Sequence, residues 1–325
     1  MYNAIEIENF GKPVVILANK GFVTDAESAA SSKGMPGIRV VGETVPCEST
    51  VQEEIEEGVA AAITDTIEGL TRPLSAEEKS PQQKTGKTPR VAFKGNVQEV
   101  NQFYYRKGWT DGLPIIPPTE EAVAEMLTGT DLPPDSIVSK IIPRKGKATV
   151  EKIAINAVMA GALPTHMPVL IATIQAFEDP KARFDTFEVS TGSWAPSLTI
   201  NGPIRRDIQV NCSSGALSPG DIANAAIGRA VGLIVRNIGG ARKAIEDMGV
   251  IGNPGKYSLV IGEDEEASPW EPLSVERGFG KEDSTVTVFF PNTFIQAVPG
   301  GTDAKGILDT LVRMGTTSMS SVILI

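Results

Sequence analysis

The chain has 325 residues, 41% hydrophobic and 22% charged, with a formal net charge of −10. That length allows two domains of ordinary size, and that composition belongs to a soluble globular protein. The acid excess, without any Lys/Arg run, argues against nucleic-acid binding, and no apolar stretch approaches a membrane span. Two Cys and one His exclude a disulfide framework, a three-His metal centre and a zinc ribbon.

Glu6, Glu8 and Lys12 near the start lack the basic-then-apolar order of an export signal, so a cytoplasmic location with reduced thiols is expected. Ile5 and Ile7 suit a short leading helix. The run at 12–19, with Pro-Val-Val-Ile-Leu-Ala, reads as a buried strand. Residues 24–32 suit a helix and 38–41 a second strand. Residues 51–70 read as a strong helix whose apolar face is Val51, Ile55, Val59, Ala62, Ile63 and Ile67. Strand, helix, strand, helix predicts a small parallel α/β unit over 1–74. Residues 75–90 hold almost no core-forming side chains and read as a linker.

Residues 91–325 are expected to form a larger α/β or α+β domain carrying the site. Its predicted helices cover 97–107, 120–127 (capped by Thr119), 153–162, 167–177, 222–234 and 304–314. Strands are expected at 258–262, 286–290 and 321–325. Between the helices, 164–168, 190–196, 201–206 and 211–215 are rich in Gly, Pro, Asn and Arg. That composition suits a site built from loop tips.

The opening, Ala4-Ile5-Glu6-Ile7-Glu8 followed by Gly11-Lys12-Pro13-Val14-Val15 and Gly34-Met35-Pro36, resembles the UGSC-motif (seleno)protein family. It is faintly similar to the selenoprotein B subunit of glycine and betaine reductases. Trp109-Thr110-Asp111-Gly112-Leu113-Pro114 and Glu266-Ala267-Ser268-Pro269-Trp270-Glu271-Pro272 resemble uncharacterised proteins found beside or fused to that family. The resemblance implies thiol redox chemistry, but the family's Cys/selenocysteine-Gly-Ser-Cys motif is absent here. A separate subunit bearing that motif is therefore an expected partner, with a shifted start codon or a diverged self-sufficient protein as alternatives.

Among candidate catalytic residues, Cys47 precedes a helix start that would stabilise its thiolate, against repulsion from Glu43 and Glu48. The bland alternative is a small residue in a strand-end turn. Cys212 sits in the polar run Asn211-Cys212-Ser213-Ser214-Gly215, without a Gly-x-Ser-x-Gly or Cys-x-x-Cys pattern. His166, between Pro164 and Pro168, suits proton transfer or the capping of a helix. Glu265 is a second proton carrier, with Glu271 beside it. Arg205, Arg206, Arg236 and Asn237 are expected to bind an anionic group, since Arg forks match its oxygens. Trp194 is a pocket wall. No metal site is expected, and no cofactor is indicated.

The sequence thus points to an enzyme, or a large enzyme subunit, for thiol-assisted cleavage or reduction at a carbon–heteroatom bond of a small anionic substrate. An acid–base lyase or hydratase using His166 and Glu265 is the alternative. A non-catalytic subunit completing a partner's site is a third reading.

Overall fold

The computed structural model describes residues 2–23, 26–27, 30, 35, 37–45, 51–75, 90–295 and 303–317. Cys47, most of the 24–32 helix, most of the expected linker and the strand at 321–325 lie outside the described residues.

The N-terminal unit opens with helix α1 (Tyr2–Asn9), which carries Ile5 and Ile7. Strands β1 (Val15–Asn19) and β2 (Arg39–Glu43) then pair in parallel, Val15 opposite Arg39. Helix α2 (Gln52–Thr71) lies on this sheet. Its approach depends on glycine: a Cβ at Gly58 would stand 2.2 Å from Val45 Cγ2, and one at Gly69 2.7 Å from Val15 Cγ2. Arg39 reaches from β2 to the carbonyls of Gly69, Arg72 and Pro73 and so supports the C-terminal end of α2. The expected apolar face is corrected here. Gly58 and Ala62 are the buried residues of α2, whereas Ile55, Val59, Ile63 and Ile67 are exposed. Small residues let the helix sit close, and close seating turns the large aliphatic side chains outward.

In the larger region, α3 (Val97–Arg106) starts with a reciprocal capping box between Asn96 and Glu99. Helix α4 (Glu120–Leu127) follows, and Thr119 accepts the Ala122 N–H as its cap. An antiparallel hairpin, β3 (Ile137–Ile141) and β4 (Gly146–Thr149), leads directly into α5 (Val150–Ala160). Helix α6 (Met167–Ala176) and the short α7 (Phe184–Phe187) precede strand β5 (Ser197–Asn201). The chain continues through α8 (Ile204–Asp207), α9 (Ile222–Ile234), β6 (Val260–Gly262), α10 (Leu273–Glu276), β7 (Thr285–Phe289) and α11 (Ala304–Thr317).

Strand β5 is the centre of a mixed sheet, parallel to β6 and antiparallel to β7. All five of its residues are buried. Helices α5 and α9 pack on each other, and α6 lies against β7. Their contact faces supply the main core, including Ile153, Leu170, Ile174, Ile227, Leu233 and Ile234. Burying such side chains stabilises by about 1.5–3 kcal/mol each. The architecture is mixed α/β, with a parallel N-terminal sheet. Three strands expected as loop or left unread are present: β3 and β4 of the hairpin, and β5, which lies between the segments read as loop tips.

Candidate functional site

Because β5 and β6 are parallel, their N-terminal ends share one side and their C-terminal ends the other. Polar residues gather at both.

At the C-terminal ends, Arg205 stands on α8 and is 3% exposed. Its guanidinium donates to the Glu263 carbonyl at 2.6 Å and to both Glu266 carboxylate oxygens at 3.0 and 3.1 Å. It also pairs with Glu265 at 2.8 Å. Arg206 adds a further bond to Glu266. Glu265 in turn accepts from Asn201 Nδ2 and from the Gly202 N–H, so it ties the end of β5 to the loop after β6. Hydrogen bonds from Arg205 and then Arg206 hold Glu266 down to a pKa of about 2. Cys212 lies beside this network, and its Sγ, Asp264 and Glu266 have ligand atoms within 4.8 Å of one another. The Cys212 loop is held by Asn224 of α9, which accepts the Asn211 N–H and donates to the carbonyls of Asn211, Ala216 and Val260. The structure therefore brings Arg205, Arg206, Glu265 and Cys212 together. It also engages both guanidinium groups with carboxylates of the protein itself.

At the N-terminal ends, a cavity of about 540 Å³ opens between Pro196, which precedes β5, and Tyr257, which precedes β6. The last turn of α9 widens into a π-helical turn, Val235–Gly239, and that turn points Arg236 at the cavity. Arg236 Nε donates to the Gly108 carbonyl at 2.8 Å. Asn237 donates to the Trp109 carbonyl and to Asn156 Oδ1. Arg229 forks onto Asp111 at 2.8 and 3.1 Å and onto the Pro114 carbonyl. The Trp109–Pro114 motif is thus a strap bound to α9, and its Asp111 lines the cavity.

The far wall is formed by residues 241–254. Glu246 anchors it: burial opposes its charge, but hydrogen bonds from Arg242 and Arg144 outweigh that and lower its pKa. Ala244 in this wall has φ 59°, a region that ordinary residues avoid. Val250 N–H bonds the Thr191 carbonyl, and Ser193 accepts the Gly252 N–H and the Asn253 amide. The Ser190–Pro196 run therefore shapes the cavity from behind. Its Trp194 packs on Phe187, with ring centroids 5.0 Å apart.

Glu188 sits in this cavity directly after α7 and is 5% exposed. Phe184 and Phe187 fix α7 by stacking on Phe177 and Phe290. Burial raises Glu188 to a pKa of about 8, against a lowering by Lys256 and with a further push from Asp247. Lys256 and Asp247 pair at 2.5 Å in the same cavity. At neutral pH Glu188 is a protonated acid lining this cavity.

His166 belongs to neither region. It is 1% exposed, and its Nδ1 accepts the Leu163 N–H at 3.2 Å. Burial lowers its pKa, so it is neutral near pH 7. Of the expected site residues, Arg236 lines the cavity, while Asn237 and Trp194 support it from outside. Sequence reasoning passed over Glu188, Lys243 and Asp247. The available signal was Glu188 placed straight after the aromatic anchors Phe184 and Phe187.

Residues 1–72 match the model of the UGSC family. The likeness to selenoprotein B is not part of that match. Both polar centres lie outside it. No curated protein and no solved structure matches the chain.

Proposed function

We propose that the Glu188 cavity is the active centre of an acid–base enzyme, a lyase or hydratase, acting on a small organic anion. The observation that supports this most is Glu188 itself: a carboxyl 5% exposed, with a pKa of about 8, in a cavity that also holds Arg236. Buried carboxyls kept protonated near neutrality are suited to proton donation. Arg236 binds the substrate's anionic group. Glu188 delivers a proton to the leaving oxygen or to a carbon bearing developing charge. Burial of the Glu188 carboxyl shields that proton from bulk water. Glu188 thereby takes the acid role expected of His166 and Glu265.

Proton NMR in deuterated water tests the reading on a set of α,β-unsaturated and β-hydroxy acids. Wild type is expected to hydrate, dehydrate or deuterate a member of the set, and Glu188→Gln to do so at least about a hundredfold more slowly. Equal rates, or no conversion by wild type, would overturn it.

A second reading draws on the UGSC match and on Cys212 at the C-terminal ends of β5 and β6, where open α/β sheets commonly bind ligands. In it, Cys212 or Cys47 performs thiol-assisted cleavage or reduction, with a partner chain carrying the Cys/selenocysteine-Gly-Ser-Cys motif. Activity that depends on adding such a chain, and that is lost in Cys212→Ser or Cys47→Ser, would favour this reading over the first.

A further inference from the structure

Four cationic side chains line the cavity: Arg229, Arg236, Lys243 and Lys256. Two are already neutralised. Arg229 is forked onto Asp111 at 2.8 and 3.1 Å, and Lys256 is paired with Asp247 at 2.5 Å. Asp111 and Asp247 are the ion-paired carboxylates of the lining, and the remaining acid, Glu188, is protonated at neutral pH. Arg236 and Lys243 are left over, and neither has a carboxylate within 4.0 Å among the described residues. The cavity therefore holds two uncompensated positive charges in a chain of net charge −10. Such a concentration of field inside a cleft selects a ligand of opposite charge.

The two cations are presented differently. Arg236 is oriented through the bond from Nε to the Gly108 carbonyl, which leaves its terminal nitrogens for a forked contact with a planar carboxylate. Gly108 beside it has φ 69°, the left-handed region that favours glycine. Lys243 lies beyond the π-helical turn, on the wall anchored by Glu246, and is exposed toward solvent. The charges thus come from two separate backbone segments of one cavity. Leu233, Val235, Ile251 and Tyr257 supply apolar surface in the same lining. A cavity of about 540 Å³ is in the size range of small-molecule sites.

We infer that this cavity takes a dicarboxylate, one carboxylate on Arg236 and the other on Lys243, with a short carbon skeleton against the apolar wall. The inference rests on reading the cavity as the substrate site and adds the class of substrate. A phosphate or sulfate carries both charges on one group and is the competing ligand class that the sulfate titration distinguishes.

Isothermal titration of the full chain at neutral pH tests it with glutarate and adipate against valerate and caproate, and with inorganic sulfate. The dicarboxylates are expected to bind at least about tenfold more tightly than the monocarboxylates of equal length. Arg236→Met and Lys243→Met should each reduce them to the monocarboxylate level. Among the described residues Lys243 has no ion pair to lose, so Lys243→Met should keep the wild-type unfolding midpoint, whereas Arg236→Met loses its bond to the Gly108 carbonyl and should lower the midpoint slightly. Absence of dicarboxylate binding, equal affinity for the two series, sulfate binding as tight as adipate, or an undiminished preference in the double variant would each overturn the inference. The readout does not require turnover. A dicarboxylate preference accompanied by wild-type rates in Glu188→Gln would defeat the acid–base role and leave this inference standing. No preference, with Glu188→Gln still slow, would do the reverse.

Discussion

At the C-terminal ends of β5 and β6, hydrogen bonds from Arg205 and Arg206 hold Glu266 at a pKa of about 2. At the opposite ends, burial pushes Glu188 to about 8. The side chain is the same; the surroundings separate the two by several units. Glu266 is half exposed and meets two guanidinium groups. Glu188 is enclosed, among the described residues makes no side-chain hydrogen bond, and has a neighbouring Lys256 already committed to Asp247. Arginine shows the same contrast. Arg205 spends its donors on the protein, whereas Arg236 uses Nε to fix its orientation and keeps the remainder. A polar cluster that satisfies itself is a brace for the fold. One that leaves an acid protonated and cations unpaired has chemistry available for a ligand.

The largest expected effect is on how stability varies with pH. Glu188 has a folded pKa of about 8 against an ordinary value of 4.5. The folded state therefore holds a proton that the unfolded state has released. The resulting stability is fully present below about pH 4.5 and is lost as pH rises through about 8. Over that window the loss approaches an order of 5 kcal/mol. Urea titrations from pH 5 to 9 should show this decline in wild type and a nearly flat profile in Glu188→Gln. Parallel profiles would mean that Glu188 titrates like an exposed acid, and the contrast between the two ends would vanish.

Next comes Arg205→Met. It leaves Glu265, whose side chain is 7% exposed, without its cation, and breaks the tie between α8 and the loop after β6. Stripping one partner from a buried ion pair costs about 3–5 kcal/mol. Denaturant unfolding at pH 7 should register that loss, while dicarboxylate binding by the remaining folded protein stays intact. A stable Arg205→Met that had lost ligand binding would exchange the roles of the two ends.

Asp111→Asn should act more weakly. It removes the charge from a partly buried fork on Arg229 but keeps a hydrogen-bonding side chain. A loss of about 1–2 kcal/mol is expected. Because Arg229 is then uncompensated in the cavity, binding of monocarboxylates should tighten. Unchanged binding of both ligand series would show that the strap does not contribute to the field of the cavity.

Much of the fold was legible because periodicity and caps are local. Thr119 as the cap of α4, the apolar run of α9, and β1 with β2 all follow from patterns within a few residues. Strand β5 was hidden by its neighbours. Ser197-Leu198-Thr199-Ile200-Asn201 lies between Pro196 and Gly202-Pro203, and two of its buried residues bear hydroxyls. Only long-range pairing with Val260 and Val288 makes it a strand. The site was less legible for the same reason. Arg205, Cys212 and Glu265 stood out by residue type and were found near one another. The neutralisation of Arg205 by Glu265 and Glu266 depends on contacts some 60 residues apart in sequence. The aromatic residues just before Glu188 do not by themselves reveal its burial, which comes from the aromatic cluster under α7 and the wall at residues 241–254.

The smallest effect expected is that of His166→Gln, and it separates location from chemistry. As the chain's one histidine in a proline-flanked turn, His166 has the residue type of a proton carrier. Its ring is instead enclosed at the start of α6 and accepts the Leu163 N–H. Burial depresses its pKa below the ordinary 6.5, so the unfolded chain takes up the proton first as pH falls. The stability it contributes is present above about pH 6.5 and is lost on the acid side. This is opposite in sign to Glu188. Removing the ring while retaining a polar side chain should cost about 1 kcal/mol at pH 7. It should soften the acid-side decline, leave the alkaline decline untouched, and leave dicarboxylate affinity unchanged. A hundredfold loss of turnover in His166→Gln, at wild-type stability, would move the proton carrier out of the Glu188 cavity. The contrast between the two strand ends would then no longer locate the chemistry.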